Sequence, residues 1–187
     1  MTAWNLPVSA DIGGRKYEVN ADYRDVLEVI GVLQDVDKND QLKVYVALSL
    51  FYEDFEAMPA EDYEEALRWL FDFIALGEDG DGTNQPKVFD WEQDALIIVA
   101  EINKVAGVEI RNMPFLHWWT FIAYFNGIGE GQLSFVVSLR EKIRKGQKLE
   151  KHEREYYRHN RSRVDLKIKT TKAEDEILDK WMNIETR

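Results

Sequence analysis

Residues 115–125 form the most restrictive feature of this sequence, because six of the eleven side chains are aromatic. Only His117 and Thr120 interrupt the apolar surface, so a helix over this segment is hydrophobic on all sides. Such a helix lies inside a core or is covered by a partner. At about a dozen residues it is too short for a membrane span, which needs about 20. The fold must therefore surround this segment with other helices, or a partner must cover it.

Apolar residues at helical spacing predict the surrounding structure. Helices are predicted over residues 22–36, from 42 to 55, from Pro59 to Gly77, from Asp90 to Gly107, over 114–125, and over about 135–145. Ahead of them, residues 8–12 and 16–19 are short β-capable runs that flank Gly13 and Gly14, a pattern typical of a tight hairpin. The glycines at 127, 129 and 131 separate the last two helices, which predicts a helical hairpin over 114–145.

These patterns predict a mainly α protein, with a compact multi-helix domain, a small N-terminal β-hairpin and a charged C-terminal helical arm. We expect two parts. Residues 1–146 form a helical body that contains the hairpin and the aromatic helical hairpin, and residues 147–187 form a basic, partly flexible arm. Two segments resemble a capping box. The first, Asp90 to Gln93, lies at the predicted start of the fourth helix, and the second, Thr171 to Glu174, predicts a short helix near the end of the arm.

Charge is unevenly distributed along the chain. The 24 basic and 35 acidic residues give a net charge of −11. Residues 1–130 contain 9 basic and 25 acidic side chains, whereas residues 131–187 contain 15 basic and 10 acidic ones. An acidic body joined to a basic arm predicts an interaction with an acidic partner or with nucleic acid.

The sequence contains no strong match to a catalytic, metal-binding or phosphate-binding motif. The chain has no cysteine, which excludes disulfides, thiol nucleophiles and cysteine-ligated zinc. An EF-hand beginning at Asp79 fails because Asn84 occupies the position that needs glycine. The glycine run at 127–131 lacks the lysine and hydroxyl residue of a phosphate-binding loop. We therefore expect no catalytic residue, no metal and no cofactor, and the protein is predicted not to be an enzyme.

Two groups of residues are candidates for partner binding, since tryptophan, tyrosine and arginine are enriched at interface anchors. The aromatic group is interpreted as plain core or as a partner groove and consists of Trp118, Trp119, Phe121, Tyr124 and Phe125. The second group is a contact strip in the basic arm and consists of Arg154, Tyr157, Arg158 and Arg161.

The aromatic segment 115–125, the glycines that follow it, the run Leu133 to Arg140 and the charged helix at 148–161 together resemble a known family. They are similar to the tail assembly chaperones of long-tailed phages and prophages of Gram-positive bacteria. The resemblance implies a helical, non-enzymatic protein that binds the tape measure protein and keeps it soluble before the tail tube polymerises. It also implies action in the host bacterial cytoplasm during phage assembly. The uneven charge favours head-to-tail contact between the basic arm of one copy and the acidic body of another, so we expect homo-oligomers. We expect no membrane partner, because the aromatic segment is too short to span a bilayer.

The alternative is a nucleic-acid-binding phage regulator that acts through the basic arm, where Tyr156, Tyr157 and His159 could stack on bases. The acidic body would repel a polyanion, so we expect a polypeptide partner rather than nucleic acid. Nucleic-acid binding that weakens steeply as the salt concentration rises would favour the regulator.

Overall fold

The computed structural model describes residues 4–77 and 87–167, and each of these ranges lies in one of two compact units. The first unit contains strands β1 (Ser9–Ile12) and β2 (Arg15–Glu18) and helices α1 (Tyr23–Leu33), α2 (Asp40–Phe51) and α3 (Tyr63–Ile74). The second contains α4 (Ala95–Ala106), α5 (Trp118–Asn126), α6 (Gln132–Arg144), α7 (Lys151–His159) and α8 (Arg161–Val164). Single 3₁₀ turns lie at Phe55–Ala57, Ala60–Asp62 and Ile110–Asn112. The predicted mainly α class with one small N-terminal hairpin is confirmed.

The hairpin forms at the predicted place and is antiparallel, with Ser9 opposite Glu18. Gly13 and Gly14 have φ angles of +56° and +75°, which residues with a side chain rarely adopt. The Gly13 N–H donates to the Glu65 carboxylate on α3 over 3.1 Å. A Cβ at Gly13 would lie 2.5 Å from an Asp62 oxygen, so the turn also needs glycine for close approach to the start of α3.

Capping residues define the first two helices. Asp22 accepts the Arg24 N–H over 3.0 Å, and Asn39 accepts the Leu42 N–H over 2.8 Å. α1 and α2 pack together, and α2 also contacts α3. The core of this unit is formed by side chains with no exposed surface, namely Val26, Val29, Ala47, Leu48, Phe51, Ala66, Leu70 and Phe73.

The third helix begins later than predicted. Pro59 precedes a 3₁₀ turn instead of opening the α-helix, and α3 starts at Tyr63. Its end matches the prediction, because Gly77, at φ +70°, donates its N–H to the Asp72 carbonyl over 2.7 Å.

The fourth helix also begins later than predicted, at Ala95 and not at Asp90. The Asp90 carboxylate does accept the N–H groups of Glu92 and Gln93, at 3.0 and 2.8 Å, but it caps the turn at residues 91–94 that directly precedes α4. Asp94 stands at the junction, and its carboxylate accepts hydrogen bonds from the Asp90 N–H and from Arg140. Gly107, at φ +72°, ends α4 as predicted.

The aromatic segment becomes helical only from Trp118. His117 provides the N-cap, since its Nδ1 accepts the Trp119 N–H over 3.0 Å, and residues 114–117 therefore precede the helix. The two helices of the predicted 114–145 hairpin, α5 and α6, both pack against α4. Gly146, at φ +63°, follows the end of α6 as predicted.

The described part of the predicted arm belongs to the second unit. α7 contacts α6 through a perpendicular pair of rings, Phe135 and Tyr156, whose centroids are 5.0 Å apart. Lys142 and Glu153 form an ion pair of 2.5 Å between the same two helices, and Val164 of α8 is buried. The division at residue 146 stays a prediction. The loop at 78–86 and the helix expected near Thr171 lie outside the described residues.

Candidate partner-binding surface

The aromatic candidates lie mostly inside the second unit. Trp118 and Phe121 are 2% and 1% exposed, and Trp119 is also buried. Tyr124 and Phe125 are half-buried.

Rings from the segment before α4 complete this cluster. The centroid of Trp91 lies 6.0 Å from that of Trp118 and 5.0 Å from that of Phe125, and Phe89 lies 5.3 Å from Phe125. In this structure α5 is therefore covered by its own unit, and Trp118, its first residue, offers almost no surface to a partner.

The four residues of the contact strip lie together on α7 and the start of α8: Arg154, Tyr157, Arg158 and Arg161. All three arginines are exposed, and Tyr157 is half-buried. One Arg154 nitrogen donates to the Leu149 carbonyl over 3.1 Å, which aligns this side chain along the helix. The strip thus presents arginine and tyrosine side chains to solvent along α7 and at the start of α8.

Asp165 joins two residues of the contact strip, Tyr157 and Arg161. Its carboxylate accepts the Tyr157 hydroxyl over 2.9 Å and the Arg161 Nε–H over 3.0 Å. The Arg161 guanidinium also lies 5.9 Å from the centre of the Tyr157 ring. The hydrogen bond and ion pair with Asp165 raise the pKa of Arg161 further above its already high value. These contacts order Tyr157 and Arg161 before any partner arrives.

Arg140 is the buried centre of the same region, and all five of its N–H donors have acceptors. Two bonds of 2.6 and 2.9 Å join it to the Asp94 carboxylate. The other three reach the carbonyl oxygens of Val88, Arg163 and Val164 at 3.1, 2.8 and 2.7 Å. Arg140 therefore fixes the chain before α4 and the end of α8 to α6.

A second buried carboxylate, that of Glu101, explains why the glycine run at 127–131 ends in glycine at position 131. Glu101 of α4 accepts the Gln132 N–H over 3.2 Å and thereby caps α6 from outside that helix. The hydrogen bond from Lys104, together with that from Gln132, lowers the pKa of Glu101. A Cβ at Gly131 would lie 2.8 Å from the Glu101 carboxylate, so the run both turns the chain and admits this carboxylate.

The charge asymmetry coincides with the two units. Residues 4–77 contain 6 basic and 16 acidic side chains, whereas residues 87–167 contain 14 basic and 11 acidic ones. The contact strip therefore lies in the basic unit, while the other unit is strongly acidic.

Within the two described ranges, the histidine and carboxylate side chains form no group of three that could hold a metal ion. The EF-hand pattern from Asp79 falls largely in residues 78–86, outside those ranges, and its last residue, Asp90, instead pairs with Lys87. No helix in residues 4–77 or 87–167 is long and apolar enough to cross a bilayer.

Comparison with known families gives one significant match. The family model of the bacteriophage Gp15 protein matches residues 4–166, which is most of the chain and includes every described helix. The chain belongs to the bacteriophage Gp15 protein family. The Gp15 match places both the Arg140 network and the contact strip inside the family region. Neither the curated proteins nor the solved structures contain a significant match.

Sequence reasoning missed the central role of Arg140 and its partner in this Gp15 protein. A signal was present, because Val136, Leu139, Arg140 and Ile143 share the spacing of one helical face. A charged residue on an apolar face needs a buried partner. That partner, Asp94, is 46 residues away in the chain and has no local signature.

Proposed function

We propose that this protein is a phage tail assembly chaperone, which binds the tape measure protein and keeps it soluble until the tail tube polymerises around it. Membership of a bacteriophage protein family supports a role in the phage cycle. The resemblance of the aromatic segment and of the charged helix to tail assembly chaperones supports the specific role. The contact strip is the single structural observation that carries the proposal.

The chemistry of the strip suits a helical polypeptide partner. A long helical rod with apolar stripes aggregates unless those stripes are covered. Arginine and tyrosine combine an apolar stem or ring with a polar end, so they cover apolar surface and still hydrogen-bond at the rim. The bonds from Tyr157 and Arg161 to Asp165 reduce the entropy that binding costs.

Under the same proposal, the protein is not an enzyme, needs no cofactor and acts in the host bacterial cytoplasm during phage assembly. Self-association is part of it as well. The acidic unit of one copy is complementary in charge to the contact strip of another, and a head-to-tail contact of that kind builds rings or filaments.

Co-expression with the tape measure protein of the same tail module tests the proposal. We expect the wild-type protein to keep its partner soluble and to co-purify with it at about 0.15 M salt. The double variant Arg154→Glu/Arg158→Glu should lose most of that co-purification. The matched control, Lys16→Glu/Arg68→Glu, reverses two exposed charges in the acidic unit and should retain it. Equal retention by both variants would contradict a role for the strip.

The contact strip also supports the second candidate, a nucleic-acid-binding regulator, since exposed arginines next to a tyrosine are suited to phosphates and bases. The same purification separates the two functions. Retention of nucleic acid, with an insoluble tape measure protein, would favour the regulator.

A further inference from the structure

An open groove lies beside the contact strip in the second unit, with a volume of about 190 Å³. This volume is comparable to one large apolar side chain. Its wall is formed mainly by Lys87, Val88, Ile143, Arg144, Val164 and Leu166. Asp165 also borders the groove, so the residue that orders the contact strip joins the two surfaces.

The floor of the groove is fixed by the Arg140 network. The Val88 and Val164 carbonyls accept hydrogen bonds from Arg140 at 3.1 and 2.7 Å, and both residues line the groove. Their carbonyl groups are thereby occupied, and most of the surface that the groove offers is apolar. A fixed apolar depression binds an inserted side chain without the cost of ordering its own walls.

The rim carries positive charge. Arg144 is exposed in the last turn of α6, and its guanidinium forms neither an ion pair nor a hydrogen bond with any of the described residues. Lys87, on the other side, pairs with Asp90 over 2.6 Å. A single unpaired guanidinium beside an apolar depression is complementary to an apolar side chain with a carboxylate close by.

We propose that this groove receives an apolar side chain from an acidic helical segment of the tape measure protein, with a carboxylate of that segment paired to Arg144. This inference rests on the proposed function and names the part of the partner that the chaperone recognises. The contact strip then holds the flanking turns of the same helix, since the two surfaces meet at Asp165. The groove selects which segment of a long helical rod is bound.

Overlapping 20-residue peptides of the tape measure protein, titrated into the 187-residue protein, test the groove. The tightest peptides should contain a large apolar residue next to Asp or Glu. Leu166→Ser and Arg144→Glu should each weaken their binding about tenfold, the loss expected for one buried side chain or one paired charge. Replacing the peptide's carboxylate by lysine should restore binding to Arg144→Glu.

Matched controls make the comparison specific. Lys145→Glu makes the same charge change one residue away, at a side chain outside the groove that pairs with Glu141. Leu96→Ser removes an exposed leucine of α4. Both should bind like the wild type, and circular dichroism melts should show that all four variants fold.

Three outcomes would overturn the inference, and they are distinguishable from one another. If the groove variants bind the peptides as tightly as the wild type while the strip variants do not, the role inferred for the groove is wrong and the proposed function stands. If a peptide of residues 173–187 of this chain binds as tightly as any partner peptide, the groove belongs to the chain's own acidic C-terminal segment. If the wild type binds neither the peptides nor the full tape measure protein, the groove and the proposed function both fail.

Discussion

The carboxylate of Asp94 accepts two hydrogen bonds from the guanidinium of Arg140, at 2.6 and 2.9 Å, and both side chains are buried. The pair joins the residue that precedes α4 to the middle of α6, across 46 positions of the chain. Three backbone carbonyls complete the coordination of Arg140. The second unit is thus organised around one fully hydrogen-bonded ion pair.

Replacing Arg140 by methionine should destabilise the protein by about 3–5 kcal/mol, because it leaves the Asp94 carboxylate buried without a counter-charge. Urea unfolding measures the loss. The double variant Arg140→Met/Asp94→Leu should lose less than the sum of the two single variants. Arg144→Met, four residues along the same helix, is the control and should change stability by less than about 0.5 kcal/mol. Strict additivity in the double variant would contradict the pairing.

Substituting Gly131 by alanine should destabilise the protein by about 1–3 kcal/mol, since the new Cβ must displace the Glu101 carboxylate from the start of α6. Gly129→Ala is the matched control, because a Cβ there meets no atom within 4 Å. Thermal melts of both variants compare them directly. A Gly129 variant as damaged as the Gly131 variant would show that backbone flexibility, and not the carboxylate, is what requires glycine.

Acid should weaken the second unit through Asp90. Burial raises the pKa of this carboxyl, but hydrogen bonds from Lys87 and from the Gln93 N–H outweigh burial and hold the pKa at about 2, below the ordinary 3.8. A lowered pKa in the folded state stabilises the protein above the unfolded value, and that contribution is lost as the pH falls from about 4 to about 2. Urea midpoints of wild type and Asp90→Asn should converge over this window. A constant difference between them would contradict the assignment.

Glu109 should behave in the same way on the surface. Hydrogen bonds from the Arg111 side chain and backbone hold the pKa of Glu109 at about 2, below the ordinary 4.5. Its contribution should therefore disappear as the pH falls from about 4.5 to about 2. Raising the salt concentration should reduce the difference between wild type and Glu109→Gln, because the pair is exposed to solvent. A difference that is insensitive to salt would count against the ion pair.

Local sequence patterns predicted helix ends and turns well where the residues of the helix or turn itself determine its position. Gly13, Gly107 and Gly146 all adopt positive φ at the predicted turn and helix ends. The late start of α4 shows the limit of such patterns. The capping pattern at Asp90 is real, but Asp94 is held by Arg140, and no local rule identifies a partner 46 residues away.

The candidate surface could be predicted only in part for the same reason. Exposed arginines spaced along a charged segment indicate one helical face, and Arg154 and Arg158 do share the face of α7. The groove beside Arg144 could not be predicted, because it is formed by residues near 87, 143 and 165, which only the folded second unit brings together. The burial of Trp118 depends likewise on Trp91, 27 positions earlier.

The proposed role of this Gp15 family member is to keep a tape measure protein soluble, and the soluble fraction of that protein measures this role most directly. The tape measure protein should be expressed alone, with the wild type, and with Arg154→Glu/Arg158→Glu. We expect it to be mostly insoluble alone, mostly soluble with the wild type, and mostly insoluble again with the variant. The same soluble fraction in all three cultures would contradict the account.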